Sequence, residues 1–178
     1  LHSFPTRRSS DLKEEQIMEQ KKINISMLQM SSILGDIEAN ITKIEKAVSS
    51  NLPSKTDVLI LPEVWTVGWE CSLFTKSAQS INDSVCKFLS NTARKYNLNI
   101  IGGSFIKEEN GLYFNTCPVF DRKGNLIAQY SKMHLYSYYG CEEGKYITKG
   151  NSPIIVDLDG VKYGLSICYD IRFPEIYR

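Results

Sequence analysis

The 178-residue chain is 42% hydrophobic and 23% charged with a formal net charge of +1, a balance that suits one soluble globular domain with its own core. That charge gives no electrostatic case for nucleic acid or an anionic membrane, and no run approaches the roughly 18 apolar residues a spanning helix needs. The five cysteines (Cys71, Cys86, Cys117, Cys141, Cys168) are scattered and contain no C-x-x-C, so neither a zinc site nor a disulfide framework is expected, and a reducing cytoplasm is the simplest compartment.

Leu1 to Leu12 is polar and basic and lacks the apolar stretch of a secretory signal. It resembles the conceptual translation of a sequencing adapter, with an Arg/Ser-rich organelle presequence as the alternative. Met18 is then the natural start, and residues 1–17 are set aside as a non-native or disordered extension to a single domain over 18–178.

Lys22 to Met30 reads as a first, central strand. Gly35-Asp36 punctuates it, and Asp36 can cap a helix whose Ile37, Ile41, Ile44 and Val48 recur at spacings of three and four. Asp57 to Leu61 is a short buried strand stopped by Pro62 and followed at once by Glu63. Trp65 to Cys71 is an aromatic loop. From about Thr75 to Tyr96, Val85, Phe88, Leu89, Ala93 and Tyr96 predict a second helix ending at Asn97.

Asn99 to Ile106 is the next strand, and its Gly102-Gly103 pair lets another backbone come close. Leu112 to Phe120 and Leu126 to Tyr130 predict a hairpin around Asp121 to Asn125, with Lys132-Met-His-Leu135-Tyr136 directly after it. Tyr138 to Asn151 is a polar, aromatic loop. Ile154 to Leu158 and Lys162 to Ile167 form a second hairpin about Asp159-Gly160. Strand–helix alternation followed by hairpins implies an α/β layered fold with a mixed sheet. The chain stops at Arg178, just as Pro174 opens a further helical turn, so a C-terminally truncated domain is expected.

Three polar residues share one context, the end of a buried strand: Glu63, Lys132 and Cys168. In an open α/β sheet, strand ends are where ligands sit, so the three can converge on one cleft. Their chemistry is complementary. A thiol needs a base or a cation to become a nucleophile at neutral pH, a carboxylate can be that base, and a lysine can hold an oxyanion. Each also has a plain structural reading: Cys168 as a small buried hydrophobe, Glu63 as a helix cap, Lys132 as a surface charge.

Leu61-Pro-Glu63, Tyr130-Ser-Lys132-Met-His-Leu135 and Cys168-Tyr-Asp-Ile-Arg-Phe-Pro-Glu175, in this order, resemble the three signature segments of the nitrilase-type carbon–nitrogen hydrolases. The resemblance runs from about Lys22 to the end of the chain. It implies an αββα sandwich with mixed sheets, a homodimer when full length, no cofactor and no metal. It assigns Glu63 as general base and acid, Lys132 as oxyanion stabiliser and Cys168 as nucleophile, with the backbone N–H of Tyr169 in the oxyanion hole. A second glutamate in the loop after the lysine aligns best with Glu143, with Glu142 the alternative and a solvated acidic turn the plain reading.

The segment about Cys168, with Tyr146 to Asn151, most resembles the omega-amidase branch, which implies a small carboxylic-acid amide as substrate and a Cys thioester intermediate. An N-carbamoyl or nitrile hydrolase of the same family is the alternative. Tyr136 and Arg172 are the candidate substrate contacts, although Arg172 and Glu175 also read as a structural ion pair behind the nucleophile. Two rivals stay open: a Cys–His hydrolase with His134 as base, and a catalytically inert fragment or binding module.

Overall fold

The computed structural model describes residues 22–178; the extension read at residues 1–17 and the start at Met18 lie outside the described residues. Strands β1 (Ile25–Met27), β2 (Val58–Ile60) and β3 (Asn99–Ile101) run parallel side by side. Helix α1 (Ile37–Asn51) links the first pair, and α2 (Ser84–Tyr96) lies in the second crossover. The expected cap forms: Asp36 accepts the backbone N–H of Ala39 at 2.9 Å.

Helix α2 begins nine residues later than about Thr75, where its apolar spacing predicts a start. Gln79 explains the delay. Its N–H donates to the carbonyl of Ile106 and its carbonyl accepts from Glu108, both at 2.9 Å, so the chain at Gln79 is held along a strand edge. The far end behaves as read, with Asn97 capping α2 at φ +52°.

The chain then turns antiparallel. β4 (Phe105–Glu109) follows β3 after Gly102-Gly103, and the two share one edge of the long β5 (Leu112–Phe120): Ile101 pairs with Val119 and Phe105 with Thr116. β6 (Leu126–Ser131) takes the other edge, completing a six-stranded mixed sheet. The period of two sorts its side chains by face. Leu59, Ile100 and Phe120 pack under Ile44, Val48, Val85, Leu89 and Ala93 of the two helices. Val58, Ile101, Val119 and Tyr130 point the other way, against Val156, Leu158, Leu165 and Ile167.

That second layer is the hairpin β9 (Ile155–Leu158) and β10 (Val161–Gly164), which turns at Asp159 and Gly160 with φ of +56° and +83°. Helices, mixed sheet and second sheet are thus three successive layers of an αββα sandwich. Arg122 ties the hairpin down, its guanidinium reaching Asp57 and Asp159 at 2.8 Å each. A further small hairpin, β7 (Ser137–Tyr138) and β8 (Cys141–Glu142), stands apart from both sheets. Among the described residues no helix is long and apolar enough to cross a membrane.

Three expectations need correction. β1, read as a central strand, is an end strand of its sheet, with Ile25 and Met27 exposed. Cys71 and Cys141 are joined in a disulfide, although scattered cysteines argued against cross-links. The fold of β7–β8 brings Cys141 back onto the short 3-10 turn at Cys71–Leu73, a closeness that their separation of 70 residues hides. The Arg172–Glu175 ion pair does not form. Arg172 closes the 3-10 turn Cys168–Arg172 and Pro174 opens another, with Phe173 between them at φ −116°, ψ 87°, and this break separates the two charges.

Candidate active site

Glu63 is presented by a turn that glycine makes possible. Gly103 adopts φ +60°, and a Cβ there would lie 2.1 Å from the carbonyl oxygen of Pro62, so only glycine admits this approach. Ser104 then fastens the turn from both sides: its N–H donates to Pro62 at 3.0 Å, and its hydroxyl accepts the N–H of Val64 at 2.9 Å. The indole of Trp65, wholly buried, donates to the carbonyl of Gly102 at 2.9 Å. Val64 is held at φ +44°, strained for a β-branched residue.

Lys132 follows β6. Its N–H donates to the carbonyl of Asn115 at 2.9 Å, and its carbonyl accepts from Gly150 at 2.8 Å. Its side chain is fully buried, and Nζ lies 2.9 Å from Oε1 of Glu63 and 2.8 Å from Oε2 of Glu143. Trp69 lies over the same ammonium, 5.2 Å from ring centroid to nitrogen. Burial disfavours the charged lysine, but the two carboxylates more than offset it and raise its pKa above the ordinary 10.5. Glu143 is itself fully buried and accepts the N–H of Tyr136 at 2.6 Å. Glu142, the alternative, faces outward and pairs with Lys145 at 2.9 Å.

Cys168 opens its 3-10 turn at φ +44°, the second strained position of the site. Desolvation raises its thiol pKa, the charge of Glu63 and a hydrogen bond to it raise it further, and Lys132 pulls the other way without reversing the effect. The resting sulfur is therefore held as a thiol beside Glu63. It opens into a cavity of about 580 Å³ lined by Tyr136, Tyr138, Tyr139, Tyr169, Ile171 and Arg172. Tyr136 packs edge-on against Trp69, Tyr138 and Tyr169. Glu63, Lys132, Glu143 and Cys168 thus meet at one place, with Tyr136, Tyr169 and Arg172 at its mouth.

His134 is occupied elsewhere. Its Nδ1 lies 2.7 Å from Oδ1 of Asp170, its N–H donates to the same oxygen at 2.9 Å, and its ring stacks on Phe173 at 3.7 Å. Asp170, fully buried, also accepts Tyr130 at 2.6 Å and the N–H of Ile167 at 2.9 Å. One carboxylate therefore joins the strand end that carries Lys132 to the turn that carries Cys168. Sequence reading missed Asp170, and it missed Asn115, whose amide donates to Glu63 at 3.0 Å and Glu143 at 3.4 Å. No spacing rule exposes a contact made across 52 residues. Among the described residues, no group of three or more His, Cys, Asp or Glu side chains could hold a metal ion.

The family model described as carbon-nitrogen hydrolase matches residues 24–178. The chain belongs to the carbon–nitrogen hydrolase family. It is 36% identical over 157 residues to the 2-oxoglutaramate amidase of Bacillus subtilis, a match covering 88% of this chain and 60% of that protein. It is 32% identical over 165 residues to the chloroplastic omega-amidase of Arabidopsis thaliana, covering 87% of this chain and 44% of that one. Among solved structures, a CN-hydrolase superfamily protein from Xanthomonas campestris, bearing an arsenic adduct in its active site, superposes with a TM-score of 0.80 at 25% identity. That match covers 88% of this chain and 57% of the other. Nit3 of Saccharomyces cerevisiae, a member of branch 10 of the nitrilase superfamily, superposes with a TM-score of 0.75 at 29% identity, covering 86% and 58%. This carbon–nitrogen hydrolase chain therefore spans about 44–60% of the length of these relatives.

Proposed function

We propose that the chain carries the catalytic residues of an omega-amidase-like hydrolase, which releases ammonia from the amide of a small carboxylic acid through a thioester on Cys168. The observation that carries this reading is the buried Lys132 ammonium held between Glu63 and Glu143, with the Cys168 thiol against Glu63. A thiol whose pKa is raised needs a base, and the carboxylate beside it is that base.

In this mechanism Glu63 takes the thiol proton as sulfur attacks the amide carbonyl. The oxygen becomes an oxyanion, held by Lys132 and the backbone N–H of Tyr169. Collapse breaks the C–N bond, and the proton on Glu63 leaves with the nitrogen as ammonia. Glu63, with Glu143 beside the same ammonium, then takes a proton from water, whose oxygen attacks the thioester. The acid departs and the thiol is restored. Arg172, on the wall of the Cys168 cavity, is the cation available for a substrate carboxylate.

The test is ammonia release from 2-oxoglutaramate, an N-carbamoyl amino acid and an aliphatic nitrile by the chain and its Cys168→Ala and Glu63→Gln variants. The expected result is release from the ω-amide, abolished in both variants. Release that survives Cys168→Ala overturns the mechanism, and a preference for either of the other compounds overturns the substrate class.

A further inference from the structure

We propose that Asn115 is a positioning residue, which clamps Glu63 and Glu143 as a pair about Lys132 and so holds Glu63 ready to accept the thiol proton. Its consequence for turnover rests on the hydrolase reading above; the clamp itself rests on geometry. Asn115 is fully buried on β5, where it pairs with Ile106, and its carbonyl accepts the N–H of Lys132. Its two amide hydrogens go to Oε1 of Glu63 at 3.0 Å and Oε1 of Glu143 at 3.4 Å. The Lys132 ammonium spans the same two carboxylates from Oε1 of Glu63 to Oε2 of Glu143. The four side chains therefore close a ring of alternating donors and acceptors.

Two features separate this arrangement from ordinary packing. Both bonds to Glu63 fall on Oε1, which leaves Oε2 as the oxygen on which the Cys168 proton can land. In addition, Oδ1 of Asn115 is buried with no hydrogen-bond partner, which costs stability. A leucine of similar branched shape would fill the position without that loss. Rotating the amide would relieve nothing, because it would set a carbonyl against two carboxylates. The donor end is what the site requires. A neutral amide can press two like charges onto one lysine without adding a charge that would compete with the substrate oxyanion.

Hydrogen bonds to a carboxylate favour its charged form. The titratable groups facing Glu63 are Lys132, Glu143 and Cys168, and removing the amide leaves all three in place. The measurement is the rate of iodoacetamide alkylation at Cys168 across the acidic to neutral range, read by mass spectrometry, with a thermal melt of each variant. Buried Cys86 and Cys117, both pushed up to about 12, stay silent, and Cys71 and Cys141 are bonded to each other.

In Asn115→Leu the acid limb of the alkylation profile moves to higher pH by about one unit, so alkylation on that limb falls about tenfold. In Asn115→Asp, which adds a third carboxylate, the limb moves further. Limbs that superpose on the parent's while only the melting temperature falls would overturn the proposal, as would both variants failing to fold, since either makes Asn115 a structural residue alone. A shifted limb in a chain that releases no ammonia would instead leave the clamp standing and sink the hydrolase reading.

Discussion

Replacing Lys132 by methionine keeps most of the buried stem and deletes the charge. The ammonium lies 2.9 Å and 2.8 Å from two carboxylates, one of them with no exposed surface. Without it the folded protein must keep like charges together in a dry site or bind a proton there. Binding the proton costs about 4 kcal/mol at pH 7, the free energy of protonating an ordinary glutamate there. That agrees with the roughly 3–5 kcal/mol lost when one partner of a buried pair is removed. For a chain of this size it corresponds to a fall in melting temperature of roughly 8–16 °C.

The deficit is also pH-dependent, and its sign follows from linkage. A carboxyl whose folded pKa is raised adds stability below its unfolded value and loses it as pH rises. The variant's deficit should shrink to about 1 kcal/mol at pH 5 and widen toward pH 8. In the parent, the lysine pKa is raised above 10.5, so its contribution holds throughout this window and is lost only in alkali. Thermal melts of both proteins at pH 5 and pH 8 provide the test. An equal loss at the two pH values, or none, would show that the three charges do not share one buried site.

Asn40 is fully buried, bonds both backbone groups of Ile33, and donates to the carbonyl of Thr66, each at 2.8 Å; Asn40→Ala should lower urea stability by about 2–4 kcal/mol, and a change within error would show these bonds to be dispensable. Gly103→Ala forces a Cβ toward the Pro62 carbonyl at a positive φ. It should cost at least about 1–2 kcal/mol and slow Cys168 alkylation by displacing Glu63, so an unaltered alkylation rate would show that Glu63 is positioned by other means. Cleaving the Cys71–Cys141 link, which spans 70 residues, with dithiothreitol should destabilise the chain by about 4 kcal/mol on loop entropy; identical melts with and without reductant would show that the link contributes nothing.

What could be read in advance was whatever repeats at short range. Asp36 before an i, i+3, i+4 apolar series, Asp159-Gly160 between alternating runs, and polar residues directly after buried strands all state local physics. The strand ends at Glu63 and Lys132 were legible because Pro62 and the polar Ser131-Lys132 close apolar stretches. Contacts closed by the fold were not legible. Gln79 gives up a helical conformation for a strand edge supplied by Ile106 and Glu108. Cys71 meets Cys141 through a hairpin of two-residue strands. Asn115 reads as one polar position on a strand until Glu63 and Glu143 are folded onto it. Asp170 is one residue of a short turn in the sequence, whereas its carboxylate joins two separate segments of the site.

The most direct test of the central claim is mass spectrometry of the chain incubated with 2-oxoglutaramate and quenched in acid. Convergence of Glu63, Lys132 and Cys168 predicts an acyl group on Cys168 and on no other cysteine. That adduct should vanish in Cys168→Ala and fail to form in Lys132→Met. Free Cys168 throughout, together with undiminished ammonia release, would contradict it.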